Sequence, residues 1–292
     1  IIEIEKYYDW ESIFRGSHYK FCVAKEVSLC YNIYSSYMGG NKMDNTQKFD
    51  DKAEFYENSR PGYPEKAVND IIKRCNLDSE SVIADIGSGT GKLSRCFFSI
   101  VKKIYCIEPN NSMRSAAEKH FYKYKSFVSV NGAAENTTIK DHCADLITAA
   151  QSFHWFDTEK FKAECVRIGK PNAAAALIWN FRDPESDITR ENAELFKRFC
   201  PDFTGFSGGA AFDKSKIEEF FTKGYEKLEY DNPLKYSEHS FIERALSASY
   251  SLKPNDKNFK EYINSLRDLF FKYSSDGIVT VPNITNVYIG EI

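Results

Sequence analysis

Val82-Ile83-Ala84-Asp85-Ile86-Gly87-Ser88-Gly89-Thr90-Gly91 decides the fold of this chain. Val82–Ile86 is apolar enough for a short buried strand, and three glycines spaced two apart follow it. Glycine lets a backbone turn tightly and approach a ligand closely. The residues beyond, Lys92–Val101, are expected to form a helix whose N-terminus offers free amides and a partial positive charge. Such a loop holds a phosphate, or a carboxylate and a sugar. A phosphate-binding P-loop requires Gly, four residues, then Gly-Lys-Ser/Thr. Here Ile86 stands at the first position and Leu93 at the last. A dinucleotide loop requires G-x-G-x-x-G, and Lys92 replaces its third glycine. An acidic strand end followed by G-x-G-x-G is matched in full by Asp85, Gly87, Gly89 and Gly91.

Outward from the loop, strands and helices alternate. Ile104–Ile107 is expected as a second strand, closed by Glu108 and Pro109. Asn111–Tyr122 is expected as a helix capped by Asn110 or Ser112. Phe127–Val130, Leu146–Ala150 and Ala173–Trp179 are further strands, with a helix over Thr158–Ile168. Upstream, Phe49, Ala53 and Tyr56 recur at helical spacing within 46–58, and Pro64 opens a helix whose inner face is Ala67, Val68, Ile71 and Ile72. Strand and helix at this spacing mean βαβ units and a doubly wound α/β fold on a mostly parallel sheet. After Trp179 the alternation stops. A largely helical insertion is expected over about 182–275, followed by a terminal antiparallel hairpin of Gly277–Val281 and Thr285–Ile289 around Pro282-Asn283.

The chain has 292 residues, a net charge of −3, and 42% hydrophobic and 28% charged residues. That is ordinary globular usage and excludes a largely disordered chain. No apolar run approaches the roughly 20 residues of a membrane span. The mild acidity gives no global footprint for nucleic acid. Eight cysteines occur, none in C-x-x-C spacing, so no metal site is expected and the thiols read as reduced residues of a cytoplasmic protein. Residues 1–42, rich in Tyr and Phe, are set apart as an accessory or leader segment. The functional domain is expected to run from Met43 to Ile292.

The acidic strand end with its three glycines resembles the class I S-adenosylmethionine (SAM)-dependent methyltransferases. Glu108 stands where that family closes the second strand with an acidic residue, whose carboxylate accepts hydrogen bonds from the ribose hydroxyls. The resemblance implies a seven-stranded, Rossmann-like sheet. It places an adenine-contacting loop at Gly132-Ala133-Ala134-Glu135, with Ala133 where many members carry Asp. Gln151-Ser152-Phe153-His154-Trp155-Phe156-Asp157 and Arg60-Pro61-Gly62-Tyr63-Pro64 are similar to a small-molecule subgroup that includes the trans-aconitate methyltransferases. The likeness covers about residues 46–181.

The resemblance implies that Gly87, Ser88, Gly89, Gly91, Glu108 and Pro109 hold the cofactor, with Ala134 and Glu135 at the adenine. Asp85 would shape the loop and face the cofactor's ammonium, Arg60 would meet its carboxylate, and Gln151 would line the methionine side. His154 is the candidate proton acceptor, with a packing role as the competing reading. Tyr56, Trp155 and Arg182 are candidate substrate residues. The expected activity is methyl transfer from SAM to a small-molecule acceptor, O-, C- or N-directed. A nicotinamide-dependent oxidoreductase and a non-catalytic SAM-binding protein stay open beside it. Valine at Gly87 or Gly89 is expected to abolish cofactor binding in a chain that still folds.

Overall fold

The computed structural model describes residues 61–206, 214–248 and 250–292. The segment 1–42 and the helix expected at 46–58 lie outside them, as do Tyr56 and Arg60. A seven-stranded sheet organises the rest. Its strands are β1 (Val82–Ile86), β2 (Lys103–Ile107), β3 (Phe127–Val130), β4 (Ala144–Ala150), β5 (Gly169–Arg182), β6 (Glu226–Asp231) and β9 (Asn283–Glu291). The spatial order is β3-β2-β1-β4-β5-β9-β6. Neighbours among β1 to β5 pair in parallel, and β9 runs antiparallel to both β5 and β6. The order reverses between β1 and β4, and ligands of open α/β sheets bind outside the carboxyl ends at such a point.

Helices cover both faces. On one face lie α1 (Glu65–Arg74) and α2 (Asn111–Phe121), which bury Ala67, Val68, Ile71, Ala117 and Phe121 against Ile83, Ile104 and Leu146. On the other lie α3 (Thr158–Ile168) and α5 (Lys214–Phe220), which bury Phe161, Cys165, Ile168, Ile217 and Phe220 against Ala84, Ile86 and Ile147. Burial of a side chain of this size contributes roughly 1.5–3 kcal/mol. A third cluster unites α4 (Asp187–Phe199), β7 (Leu234–Tyr236), α6 (Glu238–Leu246), α7 (Phe259–Tyr273) and β8 (Val279–Val281), with Phe196, Tyr262, Leu266 and Phe270 at its centre. It forms a cap of its own, apart from the sheet's two cores.

The five parallel strands and α3 stand where the sequence places them. Asn110 caps α2 by accepting the Met113 amide, and Asp157 caps α3 by accepting that of Lys160. Three expectations are corrected. Lys92–Val101 forms turns around a 3₁₀ segment, Ser94–Cys96, instead of an α-helix. Its Ser94 hydroxyl is drawn inward to Asp85, and Cys96 Sγ folds back onto the Lys92 carbonyl. The region 182–275 is not wholly helical, because β6 belongs to the main sheet and β7 to a small one. Finally, the antiparallel pair at the end of the sheet is present, but its partners differ. β9 pairs with β5 and β6, whereas the strand at 279–281 pairs with β7.

Candidate active site

The glycine loop lies at the carboxyl end of β1. Gly87, Gly89 and Gly91 all have positive φ, at 65°, 58° and 81°. Side chains at Gly87 and Gly91 would also collide with the protein. A Cβ at Gly87 would stand 2.7 Å from Ser152 Cβ, and one at Gly91 2.7 Å from a ring carbon of Phe121. At Gly89 nothing among the described residues lies within 4 Å. Gly87 and Gly91 therefore serve the chain's own packing, and Gly89 faces space that a ligand can fill. The expectation that valine at Gly87 spares the fold is corrected accordingly.

Most of the loop's amides are already committed. Gly87 and Ser88 donate to the Ile107 carbonyl at 2.9 and 3.1 Å, Gly91 donates to Ser88 O at 2.9 Å, and Gly89 donates to Glu108 Oε2 at 2.9 Å. A phosphate cradle needs such amides pointing outward at the end of a helix dipole. Here they point inward, and a 3₁₀ turn follows. This chemistry disfavours a pyrophosphate and leaves Glu108 as the recognition group.

Glu108 closes β2 with 9% of its surface exposed. Its Oε1 accepts the Asn110 amide at 2.8 Å, and its Oε2 accepts that of Gly89. Each oxygen keeps a lone pair for a further donor, as two vicinal hydroxyls require. Burial raises the Glu108 carboxyl above its ordinary value, while the Asn110 and Gly89 amides and the Arg114 charge pull the other way. Beside it, Ser88 Oγ is buried with no hydrogen-bond partner among the described residues. Such a group calls for a ligand or water. Pro109 is exposed, and its carbonyl accepts from Arg114.

Asp85 does not face the ligand space. Its side chain is 1% exposed and accepts hydrogen bonds from Ser94 Oγ and, at 2.8 Å, from Thr148 Oγ1. Burial pushes its carboxyl up to about 6, against the pull of those two hydroxyls. Asp85 ties the turn after the loop to β4 and shapes the loop from beneath.

Ala134 is buried, but Glu135 Oε1 accepts the Asp157 amide at 3.0 Å and so serves the start of α3. The loop between β3 and β4 is held instead by Glu164, which accepts both the amide and the hydroxyl of Thr137 and pairs with Arg167. A Cβ at Gly132 would meet the Thr137 carbonyl at 2.7 Å, so this glycine permits a close backbone approach. Gln151, at the end of β4, holds φ 57° without being glycine. Its amide donates to Ile178 O at 2.9 Å, and its Nε2 to Asn180 O at 3.1 Å.

His154 and Trp155 form the 3₁₀ turn Phe153–Trp155 after β4, with ring centroids 4.8 Å apart. His154 is half-buried, and Trp155 is 48% exposed, which suits a wall of an open cleft better than a core residue. Arg182 ends β5 with its guanidinium 3.9 Å above the Phe206 ring centroid. Ser94, Thr148, Glu164 and Asn180 escape sequence reading because each acts through a partner distant in the chain. The described residues hold no group of three His, Cys, Asp or Glu placed for a metal.

Residues 84–177 match the family described as a methyltransferase domain. The chain is 30% identical over 177 residues to an uncharacterized methyltransferase-like protein of Schizosaccharomyces pombe, covering 60% of this chain and 66% of the relative. It is 25% identical over 213 residues to an uncharacterized methyltransferase of Mycobacterium tuberculosis, covering 73% and 81%. A solved structure from Anaeromyxobacter dehalogenans, named provisionally as a type II methyltransferase, shares the fold with a TM-score of 0.56 at 18% identity, covering 80% of this chain and 97% of its own. Residues 84–177 thus match a methyltransferase domain, within a longer stretch that is similar to uncharacterized methyltransferases.

Proposed function

We propose that the chain transfers a methyl group from SAM to a small-molecule acceptor. The observation that carries the reading is Glu108. Its carboxylate is buried beside the open face of Gly89, fixed by two backbone amides, with lone pairs left for a ribose diol. The unpartnered Ser88 hydroxyl offers a further contact on the same ligand. Ala134 would pack against the adenine, and Gln151 would present its side-chain carbonyl to the ammonium, its Nε2 being engaged by Asn180.

When bound, SAM supplies an electrophilic methyl on a sulfonium, open to in-line displacement. The chain's task is then chiefly placement, with reacting atoms held at roughly 3–3.5 Å. His154, at the carboxyl end of β4, would accept the acceptor's proton through a ring nitrogen where the acceptor is a hydroxyl or amine. Trp155 would wall the acceptor, and the Arg182 guanidinium would meet anionic groups. Such a site suits the carboxylate-bearing acceptors of the trans-aconitate-like subgroup. The cap of α4, α6 and α7, inserted around the sheet's last two strands, is the part of the chain free to set acceptor choice.

Calorimetric titration with S-adenosylhomocysteine, with NADH as control, tests the cofactor. Saturable binding of the first alone is expected, and binding of NADH alone would move the reading to an oxidoreductase. Methyl uptake is then screened on small acids and hydroxyl compounds. Cofactor binding without turnover on any acceptor, by a chain whose His154→Ala variant is equally inert, would point to a binding protein.

A further inference from the structure

The sheet face that carries Ala176, Ile178, Val287 and Ile289 is apolar along most of its length and becomes polar at the carboxyl end of β5. There Asn180 stands opposite Thr285, the next same-face pair beyond Ile178 and Val287. Asn232, just after β6, joins them. Asn180 is 9% exposed and Thr285 is fully buried. Every polar atom of the Asn180 amide is used. Its Nδ2 donates to the Gly62 carbonyl at 3.2 Å, and its Oδ1 accepts from Asn232 Nδ2 at 3.2 Å and from Thr285 Oγ1. Asn232 Nδ2 also lies 3.0 Å from Gly62 O and 3.1 Å from Thr285 Oγ1, so its two hydrogens are shared among three acceptors.

A pair of aliphatic residues here would stabilise the sheet as well as this network does, because buried polar groups gain little net over apolar packing. What the network adds is aim. It fixes the Gly62 carbonyl, ahead of α1, and through the Asn180 backbone carbonyl it holds Gln151 Nε2. Gln151 sits in the left-handed region, a conformation that persists only where surroundings over-determine it.

We propose that Asn180, Asn232 and Thr285 act as a polar clasp of positioning residues, which anchors the backbone at Gly62 and, through the Asn180 carbonyl, holds Gln151 at the methionine end of SAM. The proposal rests on the cofactor reading above. The full chain is titrated with S-adenosylhomocysteine. Thr285→Val, nearly isosteric but without the hydroxyl, is expected to weaken binding about tenfold. Thr285→Ser restores the hydroxyl and is expected to bind within about twofold of the unaltered chain. Asn180→Ala weakens binding at least as much as Thr285→Val, and the double variant adds little, because the residues act as one unit. Tyr230→Phe is the control. It breaks the 2.8 Å bond to Asp70 on the same sheet face, outside the clasp, and lowers the melting temperature without moving affinity. Normal binding by Thr285→Val, or failure of Thr285→Ser to restore it, overturns the proposal alone. So does an affinity loss in Tyr230→Phe equal to that of Thr285→Val, since stability would then explain both. Absence of binding by the unaltered chain overturns the cofactor reading and the clasp with it.

Discussion

Beneath the glycine loop the buried side chains that matter are polar and matched: Asp85 with Ser94 and Thr148, Glu108 with two amides, Glu164 with Thr137 and Arg167. In the cap they are rings. Phe196 packs on Phe203, Phe206, Tyr250 and Tyr262, and Phe241 on Phe270. Polar matching fixes atoms to fractions of an ångström but contributes modest net stability. Aromatic burial contributes several kcal/mol and tolerates small shifts. The first region can therefore lose its ligand while staying folded, and the second can lose stability while leaving the ligand's contacts in place.

The sharpest way to break this contrast is at two neighbouring glycines. Gly89→Val is expected to abolish S-adenosylhomocysteine binding, a loss above about 100-fold, while its positive φ costs the fold only about 1–2 kcal/mol. Gly91→Val is expected to unfold the region, because its Cβ collides with Phe121. Calorimetry and thermal melting on both variants decide this, and a folded Gly89→Val with normal affinity would refute the loop assignment. Next in size is Phe270→Ala in the cap. It is expected to cost about 3–5 kcal/mol in chemical denaturation while affinity in the folded protein stays within about twofold.

Asp85 sharpens the contrast through pH. Its native carboxyl binds a proton more tightly than in the unfolded chain, with a pKa raised from 3.8 to about 6. Its contribution is therefore full below about pH 4 and is lost as pH rises through about 6. The loss is about 3 kcal/mol for a fully buried group. Asp85→Asn should flatten that part of the stability profile, and an unchanged slope would remove Asp85 as its source. The smallest expected effect is at Glu108. Glu108→Ala should weaken S-adenosylhomocysteine binding by about 1–3 kcal/mol. Because burial raises this carboxyl, the affinity of the unaltered chain should begin to fall, as pH drops, at a pH above the ordinary 4.5.

What was legible in the sequence follows the same division. Parallel strands buried on both faces, such as Val82–Ile86, are short apolar runs and announce themselves. Thr158–Ile168 declares an amphipathic helix locally, and Asn110 the cap of α2. β6 did not, because Glu226–Asp231 is an edge strand with Lys227 and Glu229 exposed and only Leu228 and Tyr230 facing inward. The pairing of β8 with β7 instead of β9 is set by the cap's core, to which Val279 and Val281 belong, and no local pattern states it. At the site, Asp85, Glu108 and the glycines were readable as types in a pattern. The direction in which Asp85 and Glu135 point was not, since it depends on Ser94, Thr148 and Asp157 arriving from elsewhere.

The position of β9 between β5 and β6 also governs the order of assembly. Among the described residues β6 has no other partner in the sheet, so it waits unpaired until Asn283–Glu291 is available, across the whole of β7, α6, α7 and β8. Contacts of such separation are slow to form, because a long loop must close before they repay its entropy. A cap that condenses first around Tyr262 and Phe270 brings the ends of that loop together and shortens the search. During synthesis the parallel strands can assemble well before β9 arrives, leaving the edge of β5 open to mispairing. Refolding should then show two phases, a fast one reporting the parallel strands and a slow one reporting closure of the sheet by β9.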